Sequence, residues 1–367
     1  MSVLTVGIDD GHDGIKIAFV HPQTNELVNY RMPSVAQIGL GDMADAPEYE
    51  IDEMTVSVQG LDDKGQSAET IYLIDADRKI ITRPMDTRFD GYPYSDLNIA
   101  LIFHALQKSG VPFQRLYIVS GLPANKYFDK ATNGKNSTLI KKKEGSLLRL
   151  SRARKRNRPN AFYEVAGVDV MPEGHGVCFN LIVDDEFKST AFRSDVSDTG
   201  FIVLDIGGKT VDLVKIMANM RPRASDLLSY DSGILFLRDE IRSRVSDQLS
   251  RVYLSDRRVD EILNTGWHGR PGKYGSADLS AMVQSCLQKH AERIYSEIKG
   301  VLSTSDEAMG GLVITGGGSH LLADYLEIAI RENGFPYEII KDVNPEFSNA
   351  NGFLKFAQLR AIENGLI

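Results

Sequence analysis

The chain has 367 residues, of which 42% are hydrophobic and 25% charged, and its formal net charge is −8. That length predicts roughly two domains, each with core enough to fold without disulfide or metal staples. The acidic balance excludes nucleic-acid binding by the surface as a whole, because phosphate contact needs basic charge, but it leaves room for one local basic patch.

Cys178 and Cys286 stand far apart and in no metal-binding spacing. They read as free buried thiols of a reducing compartment. The seven histidines form no H-x-x-x-H pair, so no transition-metal site is expected. The first residues carry no basic region and only a short apolar run, unlike a signal peptide. No apolar run reaches the about 18 residues that a membrane span needs. The expected compartment is the cytoplasm.

Val3 to Ile8 reads as a first strand, followed by a glycine turn and a second strand from Ile15 to Val20. Residues 38–65 are polar, acidic and rich in turn formers, which suggests a small surface subdomain or a long excursion. Ser95 is a predicted helix N-cap: Leu97, Ile99, Ala100, Ile102, Phe103 and Leu106 follow at helical spacing, and Gly110 ends the run. Arg115 to Ser120 is a buried-strand candidate. Lys141 to Arg158 is strongly basic, with Glu144 its only acid, and reads either as a solvated face or as a phosphate- or partner-facing patch.

Phe201 to Ile206 and Val211 to Ile216 are predicted strands, and Leu235 to Val252 and Leu279 to Leu302 predicted amphipathic helices. Gly266 to Ser276 between them reads as an ordered loop. Leu312 to Thr315 is a further strand running into Gly316-Gly317-Gly318, and the tail from Gly352 is helical. One internal echo stands out. GIDDGHDGIKIAFV, from Gly7, and VLDIGGKTVDLVKI, from Val203, superpose without a gap, so Asp9 meets Asp205 and Gly11 meets Gly207. Two related α/β halves offering the same strand–acid–glycine turn–strand unit are what a duplicated domain would show.

Glycine turns after buried strands let backbone N–H groups approach a phosphate closely. Taken alone, the turn at Gly11 is an ordinary β-turn; three such turns in order carry more. Two facing turns would clamp a polyphosphate, and the nearby carboxylates of Asp9 or Asp10 and of Asp205 would repel it unless a hydrated Mg²⁺ intervened. Lys16 offers a point charge to a phosphate, or else faces solvent. Gly316 to Gly318 leave room for a flat group such as a nucleoside, or form a plain strand-to-helix turn. Gly207-Gly208-Lys209-Thr210 lacks the preceding loop of a P-loop, and the chain carries no G-x-S-x-G.

These three motifs resemble the two phosphate motifs and the adenosine motif of the actin, sugar-kinase and heat-shock ATPase superfamily. Together with YSDLN, SGLP, VMPEG and ITGGGSHL they fall in the order of the ParM/StbA-type plasmid-segregation family. The resemblance implies an α/β, actin-like ATPase fold with two related domains around a nucleotide cleft. Residues 1–196 would form domain I, with a small subdomain near 38–80 and residues 346–367 packing back; residues 197–345 would form domain II. It further implies a Mg²⁺-dependent ATPase or GTPase whose turnover is coupled to filament formation.

By the same resemblance, Asp9 or Asp10 and Asp205 would hold Mg²⁺ through water, and Glu173 would orient the attacking water. Gly11, His12, Asp13, Lys16, Gly207, Gly208, Lys209, Thr210 and Asp212 would line the phosphates. Gly316 and Gly317 would flank the adenosine, with Gly318 beside them in the nucleotide site, and Asp231, Ser232, Gly233 and Lys143 would lie near the ribose and base. His12 and Lys209 depart from the superfamily pattern, which usually has Ser or Thr there. Expected partners are the chain itself, head to tail, and a ParR-like DNA-binding adaptor, with no direct nucleic-acid or membrane binding. Open alternatives are a non-polymerising kinase of the superfamily and a nucleotide-binding scaffold.

Overall fold

A computed structural model describes residues 3–367 apart from 44–45, 62–66, 76–79, 82, 130, 133, 156–157, 159, 187, 191, 193–198, 219–226, 250–253, 274 and 304–308. The principal strands are β1 (Leu4–Asp10), β2 (Gly14–Val20), β3 (Leu27–Pro33), β4 (Ala36–Ile38), β5 (Thr55–Leu61), β6 (Ser67–Ile74), β7 (Arg115–Leu122), β8 (Ala153–Arg154), β9 (Glu164–Pro172), β10 (Phe201–Ile206), β11 (Val211–Ile216), β12 (Leu228–Tyr230), β13 (Gly311–Thr315) and β14 (Glu338–Lys341). The principal helices are α1 (Asp96–Lys108), α2 (Ser137–Leu148), α3 (His175–Ile182), α4 (Ile234–Gln248), α5 (Asp256–Thr265), α6 (Ser280–Ser303), α7 (Ser319–Glu332) and α8 (Ser348–Glu363).

Two five-stranded sheets share one topology. The first has the order β3-β2-β1-β7-β9 and the second β12-β11-β10-β13-β14. In each, a hairpin provides two antiparallel central strands, a third strand adds antiparallel on one side, and two more add in parallel on the other. The echo read from the sequence extends to register: Asp9 pairs with Lys16 and Asp205 with Asp212, at the same place in each hairpin. All six residues of β10 and all six of β11 are buried, because helices cover the second sheet on both faces.

Each sheet organises its own apolar core. Ile8, Ile15 and Ile17 pack with Ile99, Ile102 and Phe103 of α1, while Leu204 and Leu213 pack with Ile241, Ile294 and Leu326 from α4, α6 and α7. The Ser95 hydroxyl accepts from Asn98 N at the start of α1, as its N-cap position requires. The other face of the first sheet is covered by α8, whose Ala350 and Leu354 pack on Ala18. Gly7 makes that contact possible, since a Cβ there would lie 2.0 Å from Ala350 O.

Of the two readings of the stretch after Ile38, the structure takes the small subdomain: β4, β5, β6 and β8 form a four-stranded sheet beside a short helix, Glu48–Met54. Residues 62–66 and 76–79 of that stretch lie outside the described residues. The segment before α6 contains α5, ended by Gly266 at φ 73°, and a two-residue pairing of Trp267–His268 with Ala277–Asp278. The helix predicted to reach Val252 is described as far as Gln248, and residues 250–252 lie outside the described residues. Among the described residues no helix is long and apolar enough to cross a membrane.

Candidate functional site

The two hairpin turns meet. A Cβ on Gly208 would lie 2.7 Å from Asp13 Cβ, so the second turn can press against the first only because residue 208 is glycine. Between the turns lies a cavity lined by Asp9, Asp10, Gly11, His12, Lys16, Glu173, Asp205, Gly207, Gly208, Lys209, Thr210 and Asp212, together with Pro93, Gly121, Pro123 and Asn349. Glu173 reaches it from the end of β9, where its N–H is fixed to Leu122 O at 2.8 Å.

Five carboxylates crowd this cavity, and each is held differently. Asp9 pairs with Lys16 at 2.8 Å. The Asp10 side chain is 4% exposed and is bonded on both oxygens by protein donors: Ser120 Oγ at 2.6 Å on one, Asn98 Nδ2 at 2.8 Å and Lys143 Nζ at 2.5 Å on the other. Asp205 accepts from Asn349 Nδ2 at 2.6 Å. Asp212 accepts from Thr210 Oγ1 at 2.7 Å on Oδ2, while its Oδ1 is buried without a hydrogen-bond partner.

This crowding shows in the acidities. Burial, with the charges of Asp9 and Asp212, pushes Asp205 up to about 7. Burial raises Asp212 to about 6. Burial and the charges of Asp212, Asp9, Asp205 and Asp10 hold Glu173 well above the usual carboxylate range. Burial opposes the charged form of Lys16, yet Asp9 beside it lifts its pKa above the ordinary lysine value. A cavity with this excess of carboxylate oxygen, including the unpartnered Asp212 Oδ1, fits a hydrated divalent cation. Among the described residues no three His, Cys, Asp or Glu side chains form a group that could hold a metal directly.

His12 is clamped to the segment that follows the small sheet. Its Nδ1–H donates to Thr87 O at 2.6 Å and Thr87 Oγ1 donates to His12 O at 2.7 Å. Burial lowers its pKa against that bond. A neutral ring that donates through Nδ1 offers Nε2 as an acceptor, so His12 does not replace a phosphate-contacting hydroxyl donor. Lys209, on the opposite turn, carries a donor at the cavity and reaches Asp90 Oδ1 at 3.4 Å.

The remaining predicted residues lie around the cavity rather than in its lining. Asp13 turns to Arg31 and to Arg238 of α4. Gly233 braces the second turn: its N–H donates to Lys209 O at 2.9 Å, and a Cβ would lie 2.4 Å from Gly208 O. Gly316, at φ 85°, passes so close to Asp205 that a Cβ would sit 2.2 Å from Oδ1, and a Cβ on Gly318 would meet Ile206. Gly317 meets only Glu346 Oε1, at ordinary contact distance. Ser232 ties this corner to α6, its carbonyl meeting His290 Nε2 at 2.9 Å and its hydroxyl donating to Glu297.

The basic segment needs correction. Lys143 is fully buried on Asp10, Pro93 O and Asn98. Lys155 is buried and donates to Glu53 O and Thr55 O, and Arg149 pairs with Asp96. Much of the charge therefore stitches α1, α2 and the small sheet together, while Lys141, Lys142 and Arg158 stay exposed. Arg156 lies outside the described residues. Sequence reasoning missed Asn98, Ser120 and Asn349, which hold the carboxylates. The signal for Asn349 is the cluster Asn349, Asn351 and Gly352, poor helix formers inside a helix.

Paired α/β sheets of one topology around facing glycine turns define an actin-like ATPase fold. The family model described as "Plasmid segregation protein ParM, N-terminal" matches residues 4–183, and "Archaeal actin homologue MreB-like, C-terminal" matches residues 203–328. The chain belongs to the actin superfamily, its first half being of the ParM type. No curated protein sequence is significantly similar to it. Among solved structures, an archaeal actin homologue superposes with a TM-score of 0.67 in its complex with ADP, at 19% identity over 97% of this chain and 100% of that one. A 15-stranded ParM filament from Clostridium botulinum gives 0.67 at 20% identity, covering 98% and 100%. The actin-like protein Alp7A gives 0.72 at 14% identity, covering 99% and 98%.

Proposed function

We propose that the chain is a Mg²⁺-dependent ATPase or GTPase that assembles head to tail into filaments. Through a ParR-like DNA-binding adaptor, those filaments segregate plasmid DNA in the cytoplasm. The observation that carries this reading is the facing pair of glycine turns, which encloses Asp9, Lys16, Glu173, Asp205 and Asp212 in one cavity. In this reading residues 1–196 with 346–367 form domain I, residues 197–345 form domain II, and nucleotide between them holds the two closed. Filament assembly is carried over from the ParM filament, and nucleotide binding from the ADP complex of the archaeal homologue. A heterologous head-to-tail interface that does not close into a ring produces an open filament.

The residues divide the work as follows. Backbone N–H groups of Gly11, Gly207 and Gly208 cradle phosphate oxygens, and Lys16 adds its charge. Of the two acids in the first turn, Asp9 is the one whose carboxylate is not saturated by protein donors, and it joins Asp205 as a holder of metal-bound water. Mg²⁺ held there supplies the positive charge that offsets repulsion between these carboxylates and the polyphosphate. Glu173, with its raised pKa, accepts a hydrogen bond from the attacking water and orients it. Gly233, Gly316, Gly317 and Gly318 place the second turn against the nucleoside. Lys209 supplies the donor on the terminal phosphate that His12 lacks.

Replacing Glu173 by Ala tests this assignment. Hydrolysis should slow by about 10²–10⁴-fold, with nucleotide binding retained and filaments longer-lived. Loss of nucleotide binding would show that Glu173 does something else. Asp205→Ala should abolish Mg²⁺-dependent turnover, and retained turnover would contradict the metal role.

A further inference from the structure

We propose that Asn349 is a positioning residue that fixes the Asp205 carboxylate relative to the Glu173 turn across the cleft. Its amide spans elements of both sheets. Oδ1 accepts from the N–H of Gly174, the residue after Glu173, at 3.1 Å, and Nδ2 donates to Asp205 Oδ2 at 2.6 Å. The two partners fix the amide's orientation: flipped, its oxygen would face a carboxylate and its NH₂ an N–H. Asn349 is 6% exposed and lines the cavity itself.

Its backbone is held as firmly as its side chain. α8 crosses α3 in backbone contact, because a Cβ on Gly352 would lie 1.8 Å from Gly176 O, and one on Gly176 would lie 2.9 Å from Asn349 O. Asn180 Nδ2 donates to Ser348 Oγ at 3.3 Å, and Lys355 donates to Val183 O at 2.8 Å along the same seam. Asn349 is thus anchored on α8, which rests on the first sheet, and grips the end of β10 in the second. A side chain so placed sets how far the residue that orients water stands from the residue that holds the metal's water. Partners of this kind, one shell beyond a metal, typically matter about 10–100-fold for affinity or activity.

The inference rests on the hydrolytic reading above, and the test separates the two. ATP and GTP affinities are measured in Mg²⁺ and in EDTA, alongside turnover and melting temperature, for the wild type, Asn349→Ala, the volume-keeping Asn349→Leu, Asp205→Ala and the Asn349→Ala/Asp205→Ala pair. Both Asn349 variants should lose about tenfold or more of the Mg²⁺-dependent tightening and of kcat, with the EDTA affinity unchanged. Asp205→Ala should by itself remove both the tightening and the Mg²⁺-dependent turnover, and adding Asn349→Ala should remove nothing further. Asn349 variants that melt earlier yet keep wild-type tightening and kcat would overturn the positioning role, as would losses that add in the double variant. A wild type whose nucleotide affinity ignores Mg²⁺ would overturn the hydrolytic reading itself.

Discussion

The carboxylate of Asp13, in the turn of the first hairpin, is ion-paired with the guanidinium of Arg238 on α4, in the other half of the molecule. It is the centre of a longer chain of charge. Arg31 pairs with Asp13 at 2.7 Å and with Glu346 at 2.6 Å, and Arg238 pairs with Asp260 at 2.5 Å. The Asp13 and Arg238 side chains are only 16% and 12% exposed, so each is costly to leave alone.

Asp13→Ala and Arg238→Ala should therefore loosen the contact between the turns without emptying the cavity of its carboxylates. The expected result is faster release of bound nucleotide and a loss of roughly 1–3 kcal/mol of stability, a discount on a fully buried pair. Stopped-flow release of a fluorescent nucleotide measures the first and urea titration the second. Nucleotide release at the wild-type rate in both variants would mean that the pair does not hold the halves together.

Lys143→Ala should be among the more damaging single changes in α2. It would leave Asp10 buried with only Ser120 and Asn98 as donors, at a cost of about 3–5 kcal/mol by analogy with broken buried pairs. Asp10→Asn leaves the fully buried Lys143 ammonium without its counter-charge and should cost a comparable amount. Equal midpoints in urea for Lys143→Ala and wild type would show that the pair contributes nothing.

The nucleotide-free protein should be more stable at pH 5.5 than at pH 8. Asp205 and Asp212 have folded pKa values raised to about 7 and about 6, above those of exposed aspartates, and Glu173 moves in the same direction. A carboxyl raised in this way binds its proton more readily in the folded chain. Its stabilising effect is complete below the unfolded value and is lost as pH rises through the folded one. Thermal melts across that window measure the slope. Asp212→Asn should flatten it, and stability that rises from pH 5.5 to 8 would be the wrong sign.

Gly316→Ala should weaken nucleotide binding although Gly316 does not line the cavity. Its φ of 85° disfavours any Cβ, and the methyl group would be driven into Asp205. Wild-type affinity in this variant would mean that Asp205 tolerates being moved.

Much of this architecture is legible in the chain because it is local. The gapless echo of the two hairpins foretells both their shared register and their shared topology, since strand–acid–glycine–strand is set within about 14 residues. Ser95 announces α1 in the same way. What stays hidden depends on distant partners. Asp9 and Asp10 are neighbours whose side chains leave opposite faces of a strand, and choosing between them needs Lys143, Asn98 and Ser120, which arrive from α2, α1 and β7. Lys143 reads as part of a solvated basic run because nothing nearby reveals that its ammonium ends on Asp10. Asn349 is separated from Asp205 by 144 residues. The helix α5 escapes notice because only Val259, Ile262 and Leu263 are buried along its ten residues.

The central claim, nucleotide-driven assembly, is tested most directly by recording light scattering and phosphate release together after adding Mg·ATP, Mg·GTP, the matching diphosphates or no nucleotide. Scattering that rises only with a triphosphate and decays as phosphate accumulates is the predicted result, with pelleting confirming polymer. Steady turnover without scattering, quickened by small-molecule phosphate acceptors, would contradict it and identify a kinase instead.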